Sequence, residues 1–424
     1  MKEMLIKLPY GHSSISFYLT RGSLISTLKP RFKEKLKNFE EVFLDALEKP
    51  IGTESLPNII SSKKVGKVSI LLDDITRPGP KKQAVEILTT YLMRHGVKRE
   101  SITIIFALGL HRKHTQNEWI SMLGTDIVNK FKIIDHDPDD KWGLEYLGET
   151  RRGTPVEVNK IVADSDLIIG ISYLGIHDFA GYTGGAKIIL PGVSSRRAIK
   201  RNHILSLDER SQPGVADGNP AREDMEDAAT LVEYDFSINI PLNYKEQPIG
   251  VFAGHFIHAH RAGIGLVDEL YKVKTPKKAD VVFASVGGFP HDIDLYQSER
   301  ALRYLSRIVH EGGTIVLFSE CKDGVGNTDM ETILFKMKKD LKKIKDELLR
   351  DYTIGKWVGW DFLVNSSKFD VIIVSPNLNA ELFSGIGVKI VKNPNQAINY
   401  VLEKHGNDFE FFIVPYANIT LPVI

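Results

Sequence analysis

KVSILLDDITRPGPKKQAVEILTTYLMRHG (67–96), followed by SITIIFALG (101–109), decides the fold class of this chain. KVSILLDD (67–74) reads as a buried strand. QAVEILTTYLMRHG (83–96) then spaces its apolar residues as an amphipathic helix does, and Gly96 is a natural stop. SITIIFALG returns to a strand. The alternation continues outward. HTQNEWISMLG (114–124) predicts a helix, SDLIIGIS (165–172) a third strand, and a further helix starts near Ser194 or Ser195. Strand followed by helix, repeated, predicts an α/β fold with parallel or mixed sheets covered by helices.

A second region repeats this logic. KADVVFASVGG (278–288) is a strand running into a glycine loop, YQSERALRYLSRIV (296–309) a helix, and GGTIVLFSE (312–320) a strand. FDVIIVSP (369–376) and FEFFIVP (409–415) predict two more strands. The polar Pro/Lys segment VKTPKKAD (273–280) marks the boundary, so two domains are expected, 1–272 and 273–424. FKMKKDLKKIKDELLRDY (335–352) predicts one basic helix. Its interleaved acidic residues and helically spaced Leu and Ile favour a solvated face over a nucleic-acid surface.

Composition removes several function classes. Among 424 residues, 55 Lys and Arg balance 54 Asp and Glu, leaving a net charge of +1, so neither nucleic acid nor an acidic membrane is an expected partner. The single cysteine, Cys321, excludes an internal disulfide and a cysteine-rich zinc site. It fits a reducing compartment, and a cytoplasmic location is expected. The opening MKEMLIKLPYGHSS is too short in apolar residues for a signal peptide, and no run approaches the roughly 18 apolar residues of a membrane span.

The residues able to carry chemistry cluster after strands. Asp74, Thr76 and Arg77 follow the first strand, at the edge where open α/β sheets bind ligands. With the next helix's N-terminus, Arg77 could hold a phosphate. An Asp/Thr turn whose Pro78 and Pro80 simply open a helix is an equal reading. His111 also follows a strand, where a lone histidine reads first as a loop residue. GIHDFAGYTGGAKIILPGVSSRRAIKRNH (175–203) holds His177, Lys187 and His203 among glycines. Gly181, Gly184 and Gly185 would let backbone approach a ligand closely. A lysine in such a turn can be desolvated into a nucleophile. The stretch lacks the Gly-Lys-Ser/Thr of a Walker loop, and no Gly-x-Gly-x-x-Gly follows the first strand, which argues against ordinary dinucleotide binding. LPGVSS (190–195) resembles a helix entry. His203 then falls at a helix C-terminus, where the dipole would favour its charged form. The histidines of GHFIHAH (254–260) match no known zinc spacing and read as structural or exposed. Gln297 and Arg300 stand one helical turn apart and suit a carboxylate, or else mark an exposed helix start. Trp357 and Trp360 share a face and read as core.

DITRP (74–78), GLHR (109–112), HDFAGYTGGAK (177–187), PGVSS (191–195), NH (202–203) and YQ (296–297) come in an order that resembles the lactate racemase family across nearly the whole chain. The resemblance implies a two-domain α/β fold with its site between the domains. It also implies a nickel-pincer nucleotide, joined covalently to Lys187, with His203 as the protein ligand of nickel. Asp74, Ile75, Thr76 and Arg77 would hold the nucleotide's tail. His111 and His177 would be paired acid/bases, Gln297 and Arg300 would bind the substrate carboxylate, and Trp357 would lie near the site. The implied activity is interconversion of stereoisomers at C2 of a 2-hydroxy acid by reversible hydride transfer, through a planar 2-keto acid. Dedicated biosynthetic proteins would supply the cofactor. Two positions depart from the lactate pattern: Arg300 stands where lactate racemases carry lysine, and Ile75 where some carry histidine. Arg and Lys differ in carboxylate recognition, so a malate-like dicarboxylate or a sugar acid is an alternative substrate. A nicotinamide-dependent dehydrogenase of such acids, or a non-catalytic protein keeping the nickel nucleotide, are competing readings. The joint presence of His111 and His177 favours catalysis.

Overall fold

In the computed structural model, which describes residues 3–337 and 340–424, strands β1 (Met4–Tyr10) and β2 (Ser13–Leu19) form an antiparallel hairpin. Strand β3 (Ser23–Thr27) follows, and pairs in parallel with a strand near the other end of the chain, β19 below. The chain divides into two units, residues 32–270 and residues 1–31 with 271–424.

The unit of residues 32–270 is built on β4 (Val68–Asp73), β5 (Ile102–Ala107), β6 (Lys132–Asp135), β9 (Leu167–Leu174), β12 (Phe236–Pro241) and β13 (Phe252–Gly254). A two-stranded hairpin, β7 (Leu144–Glu149) and β8 (Pro155–Asn159), precedes β9, and a short one, β10 (Ile176–His177) and β11 (Gly181–Tyr182), follows it. The sheet order is β13-β12-β9-β4-β5-β6, parallel except for β13. β4 is central, and Val68 to Leu72 are all buried because helices cover both faces. The helix Lys81–Arg94 sends Ala84, Val85, Leu88 and Leu92 into that core. The chain winds from β4 toward β6, then returns to place β9 on β4's other side. Loops leaving β4 and β9 therefore diverge, which opens a crevice at the strands' C-terminal ends.

The other unit contains β14 (Lys272–Lys274), β15 (Ala279–Ser285), β16 (Val309–Phe318), β17 (Asp370–Val374), β18 (Val388–Val391), β19 (Glu410–Val414) and β20 (Leu421–Val423). Its main sheet, β18-β17-β16-β15-β19-β3, is wholly parallel. The α/β fold class matches the sequence reading.

Two expectations need correction. A first domain beginning at residue 1 is not observed: Ile6, Leu8, Phe17 and Leu19 pack into one hydrophobic cluster with Val281, Phe283, Val316 and Phe318, so residues 1–31 belong with 271–424. Nor is 335–352 one helix. A wide π-type turn covers Thr332–Met337, and Asp340 caps a new helix, Leu341–Arg350, by accepting the Lys343 amide at 3.0 Å. Lys338 and Lys339 lie outside the described residues. Among the described residues, no helix is long and apolar enough to cross a membrane.

Candidate functional site

The loops after β4, β5 and β9 carry most of the residues singled out by sequence. After β4, the turn is the Asp/Thr turn that one reading expected. Asp74 is 4% exposed, and its Oδ1 accepts both the Thr76 amide at 2.9 Å and the Thr76 hydroxyl at 2.6 Å. Its Oδ2 meets His111 Nδ1. Burial alone would raise the Asp74 carboxyl. The His111 contact, Thr76 and the Arg77 charge outweigh burial and hold it well below the usual range. The ionised carboxylate therefore takes the Nδ1 hydrogen of His111 and leaves Nε2 as the base, on a side chain 48% exposed.

After β9, the chain turns through β10 and β11 into a 3-10 turn, Gly185–Ile188, that carries Lys187. Glycine is required here: Gly181 has φ +75°, and a Cβ on it would lie 1.9 Å from the Val215 carbonyl oxygen. The Lys187 amine is pushed down to about 7, first by burial and then by the Arg77 and Arg222 charges. Much of it is thus neutral and nucleophilic at neutral pH.

His203 ends the helix Arg196–His203, which Ser195 caps by accepting the Ala198 amide at 3.1 Å. Burial, then the Lys187 charge, lowers its imidazole to about 3. The helix dipole acts the other way, and burial outweighs it. The neutral ring is the metal-binding form. Its neighbour Asn202 anchors the helix end, donating to Asp224 Oδ2 at 2.9 Å and the Ala221 carbonyl at 3.1 Å. His177 stands on β10, where its Nδ1 accepts the Ala180 amide at 3.3 Å, so the ring hydrogen sits on Nε2. Phe179 stands edge-on between His177, at 4.9 Å, and His203, at 5.0 Å. Among the described residues, no group of three or more His, Cys, Asp or Glu could hold a metal ion.

Sequence reasoning missed the residues that shape this loop. Arg222 is fully buried and donates to the carbonyls of Ala180 at 3.1 Å, Gly184 at 3.0 Å and Tyr182. Asn239 Oδ1 accepts the Gly185 amide at 2.8 Å, and His260 Nε2 meets the Thr183 carbonyl at 2.9 Å. His260, one of the GHFIHAH histidines, is thus structural, as expected.

Gln297, Arg300 and Trp357 belong to the other unit. Gln297 is exposed in the first turn of the helix Leu295–Leu305, its amide capped by Asp294 at 2.7 Å, and Arg300 follows one turn on, partly buried. Trp357 is 2% exposed on the helix Ile354–Ser366. The Arg303 guanidinium lies over its ring at 4.2 Å and is anchored to Asp361 at 2.8 Å.

Comparison with known proteins fits this arrangement. The model of the lactate racemase N-terminal domain matches residues 10–214, and that of the C-terminal domain matches residues 274–419. The lactate racemase of Thermoanaerobacterium thermosaccharolyticum is 29% identical, and that of Lactiplantibacillus plantarum also 29%, each over 97% of both chains. The structure of the T. thermosaccharolyticum lactate racemase apoprotein superposes with a TM-score of 0.88 at 27% identity, covering 99% of this chain and all of that one. A Thermotoga maritima protein shares the fold, with a TM-score of 0.66 at 19% identity over 92% of this chain and all of that one. With both domain models matched in order along its length, this chain belongs to the lactate racemase family.

Proposed function

We propose that this chain is a 2-hydroxy acid racemase or epimerase that works with a nickel-pincer nucleotide attached to Lys187. As a lactate racemase family member it is an isomerase. The observation that carries the cofactor reading is the Lys187 amine, held near neutrality close to the neutral imidazole of His203. The residues present fit the group. Lys187 would hold it covalently, His203 would ligate its nickel, and the Arg77 guanidinium, on the Asp74–Arg77 turn, would meet its phosphate tail. When bound, the nucleotide would supply an electron-poor ring that takes and returns the C2 hydrogen as hydride, which no side chain can do.

The chain's own residues handle the proton and the substrate. His111 presents an unprotonated Nε2, because Asp74 holds its Nδ1 hydrogen. His177 is oriented by the Ala180 amide, which its Nδ1 accepts, leaving Nε2 for proton exchange. The two histidines would act as paired acid/bases, each taking or returning the hydroxyl proton of one stereoisomer. Asp74 stabilises His111 as it takes the proton. Gln297 and Arg300 would hold the substrate carboxylate, with Trp357 nearby. Arg300's planar fork, in place of lysine, favours a dicarboxylate such as malate or a sugar acid over lactate. A cytoplasmic setting with cofactor-synthesising proteins follows from the cofactor's needs.

The test is purification from a host that makes the nucleotide, intact mass with peptide mapping at Lys187, and stereochemical assay on lactate, malate and sugar acids. The expected result is a nucleotide-sized adduct on Lys187 and interconversion of one class. An unmodified Lys187 in that host overturns the cofactor reading. In the same panel, unchanged relative kcat/KM for Arg300→Lys rejects Arg300 as the specificity determinant.

A further inference from the structure

We propose that His114 is a positioning residue which, backed by Asp135, fixes the backbone of the turn at residues 74–77 and through it the Asp74–His111 pair. The proposal rests on the racemase reading for what the turn serves, and on geometry for how the turn is held.

His114 lies three residues beyond His111 on the same loop, with its side chain 1% exposed. Its Nε2 accepts the Ile75 amide at 3.2 Å. Its Nδ1 lies 2.8 Å from Asp135 Oδ1. Because Nε2 receives a hydrogen, its lone pair is there, and the ring hydrogen sits on Nδ1, where the carboxylate accepts it. Asp135 ends β6 and is itself fixed. Its Oδ2 accepts the His114 amide at 2.5 Å, and its Oδ1 the Trp119 indole N–H at 3.1 Å. Phe106 on β5 packs against the imidazole edge-on, with ring centroids 4.7 Å apart and planes at 63°. The loop after β5 therefore grips the loop after β4 twice. His111 takes the carboxylate of Asp74, and His114 takes the next peptide N–H. Ile75's side chain is 42% exposed, so this peptide is held through its backbone. Its rotation would carry Thr76 away from Asp74 Oδ1 and turn the carboxylate from His111. A rigid ring with an acceptor at one end and a donor at the other meets both demands at once.

Two variants separate this role from simple space filling. His114→Gln reaches far enough to place an acceptor near the Nε2 position. His114→Asn keeps a donor toward Asp135 but falls short of the Ile75 amide. In cofactor-free protein, hydrogen exchange of the peptide spanning residues 74–77 should be faster in the Asn variant and near wild type in the Gln variant, with exchange elsewhere unchanged. In the loaded enzyme, the Asn variant should lose about 10- to 100-fold in kcat with a smaller change in KM, and Gln should restore most of it. Equal behaviour of the two variants, whether both normal or both impaired, overturns the proposal. If the wild type racemises nothing in the panel, the functional reading fails, while the exchange experiment still decides whether His114 holds the turn.

Discussion

Lys187 lies where a charge is costly, and its effect on stability follows from that placement. Burial first, then Arg77 and Arg222, bring its amine to about 7, whereas the unfolded chain keeps the ordinary value of about 10.4. The unfolded state thus binds the proton more tightly, and the folded state carries a penalty. The sign is opposite to that of a paired lysine. The penalty is full below about 7 and disappears as pH rises through the ordinary lysine range. Replacing the amine by an apolar chain of similar length removes it. Lys187→Met should therefore stabilise the cofactor-free protein at pH 7 by about 1–3 kcal/mol, the scale measured for burying a polar group. The gain should shrink toward zero near pH 10.5, while cofactor attachment is lost at every pH. Urea midpoints at both pH values measure this. An equal gain at both would assign the effect to packing instead. A site that gives up stability to keep an amine reactive is the usual relation between function and stability.

At the scale of elements, the loop between β10 and the 3-10 turn is held partly by its own Tyr182 and Thr183 and partly by side chains from other elements. Arg222, from the helix Pro220–Leu231, bonds three of its carbonyls. Burial lowers the guanidinium to about 10, an opposing cost. Three acceptors left without their donor outweigh that cost, so Arg222→Met should destabilise the unit by about 2 kcal/mol. Arg222→Lys, a point charge without the fork, should rescue little of it. Hydrogen exchange over residues 176–187 and thermal unfolding check both, and a Lys variant equal to wild type would dismiss the fork. The same elements show what was legible in the sequence. Strands β4, β5, β9, β15, β16, β17 and β19, each carrying at least three consecutive apolar residues, could be read directly, and the ordered motifs pointed to the family. FSINIP (236–241) could not, because Ser237 and Asn239 interrupt its apolar run although both are buried. Asn239 is there to hold the Gly185 amide. Arg222 and Asp224 sit in a charged stretch that reads as a solvated face, yet both are fully buried. Sequence patterning failed where a polar residue serves a loop.

At the scale of the molecule, the opening residues were the least legible part, for a different reason. A strand's partner nearly 390 residues away leaves no local mark, and β3 pairs with β19 at that separation. What the sequence did contain was apolar alternation in the hairpin, with Ile6, Leu8, Phe17 and Leu19 directed to one side. That face is a structural part of the other unit's core. Phe17 stacks on Phe318 at 5.1 Å between ring centroids and lies 5.6 Å from Phe283, so it bridges β16 and β15. Residues 271–424 expressed alone would expose this cluster and leave the β19 edge open. They should give a broad, non-cooperative thermal transition, whereas residues 1–31 joined to 271 through a flexible linker should restore a sharp one. In the full chain, Phe17→Ala should cost about 3–5 kcal/mol, as truncation of a buried aromatic does. Because the cost falls in the second unit's core, exchange should quicken in β15, β16 and β19 while β4, β5 and β9 keep their protection. A cooperative, undiminished transition from 271–424 alone would show that the first residues only decorate that unit. The hairpin's buried face and the parallel pairing of β3 argue that they complete it.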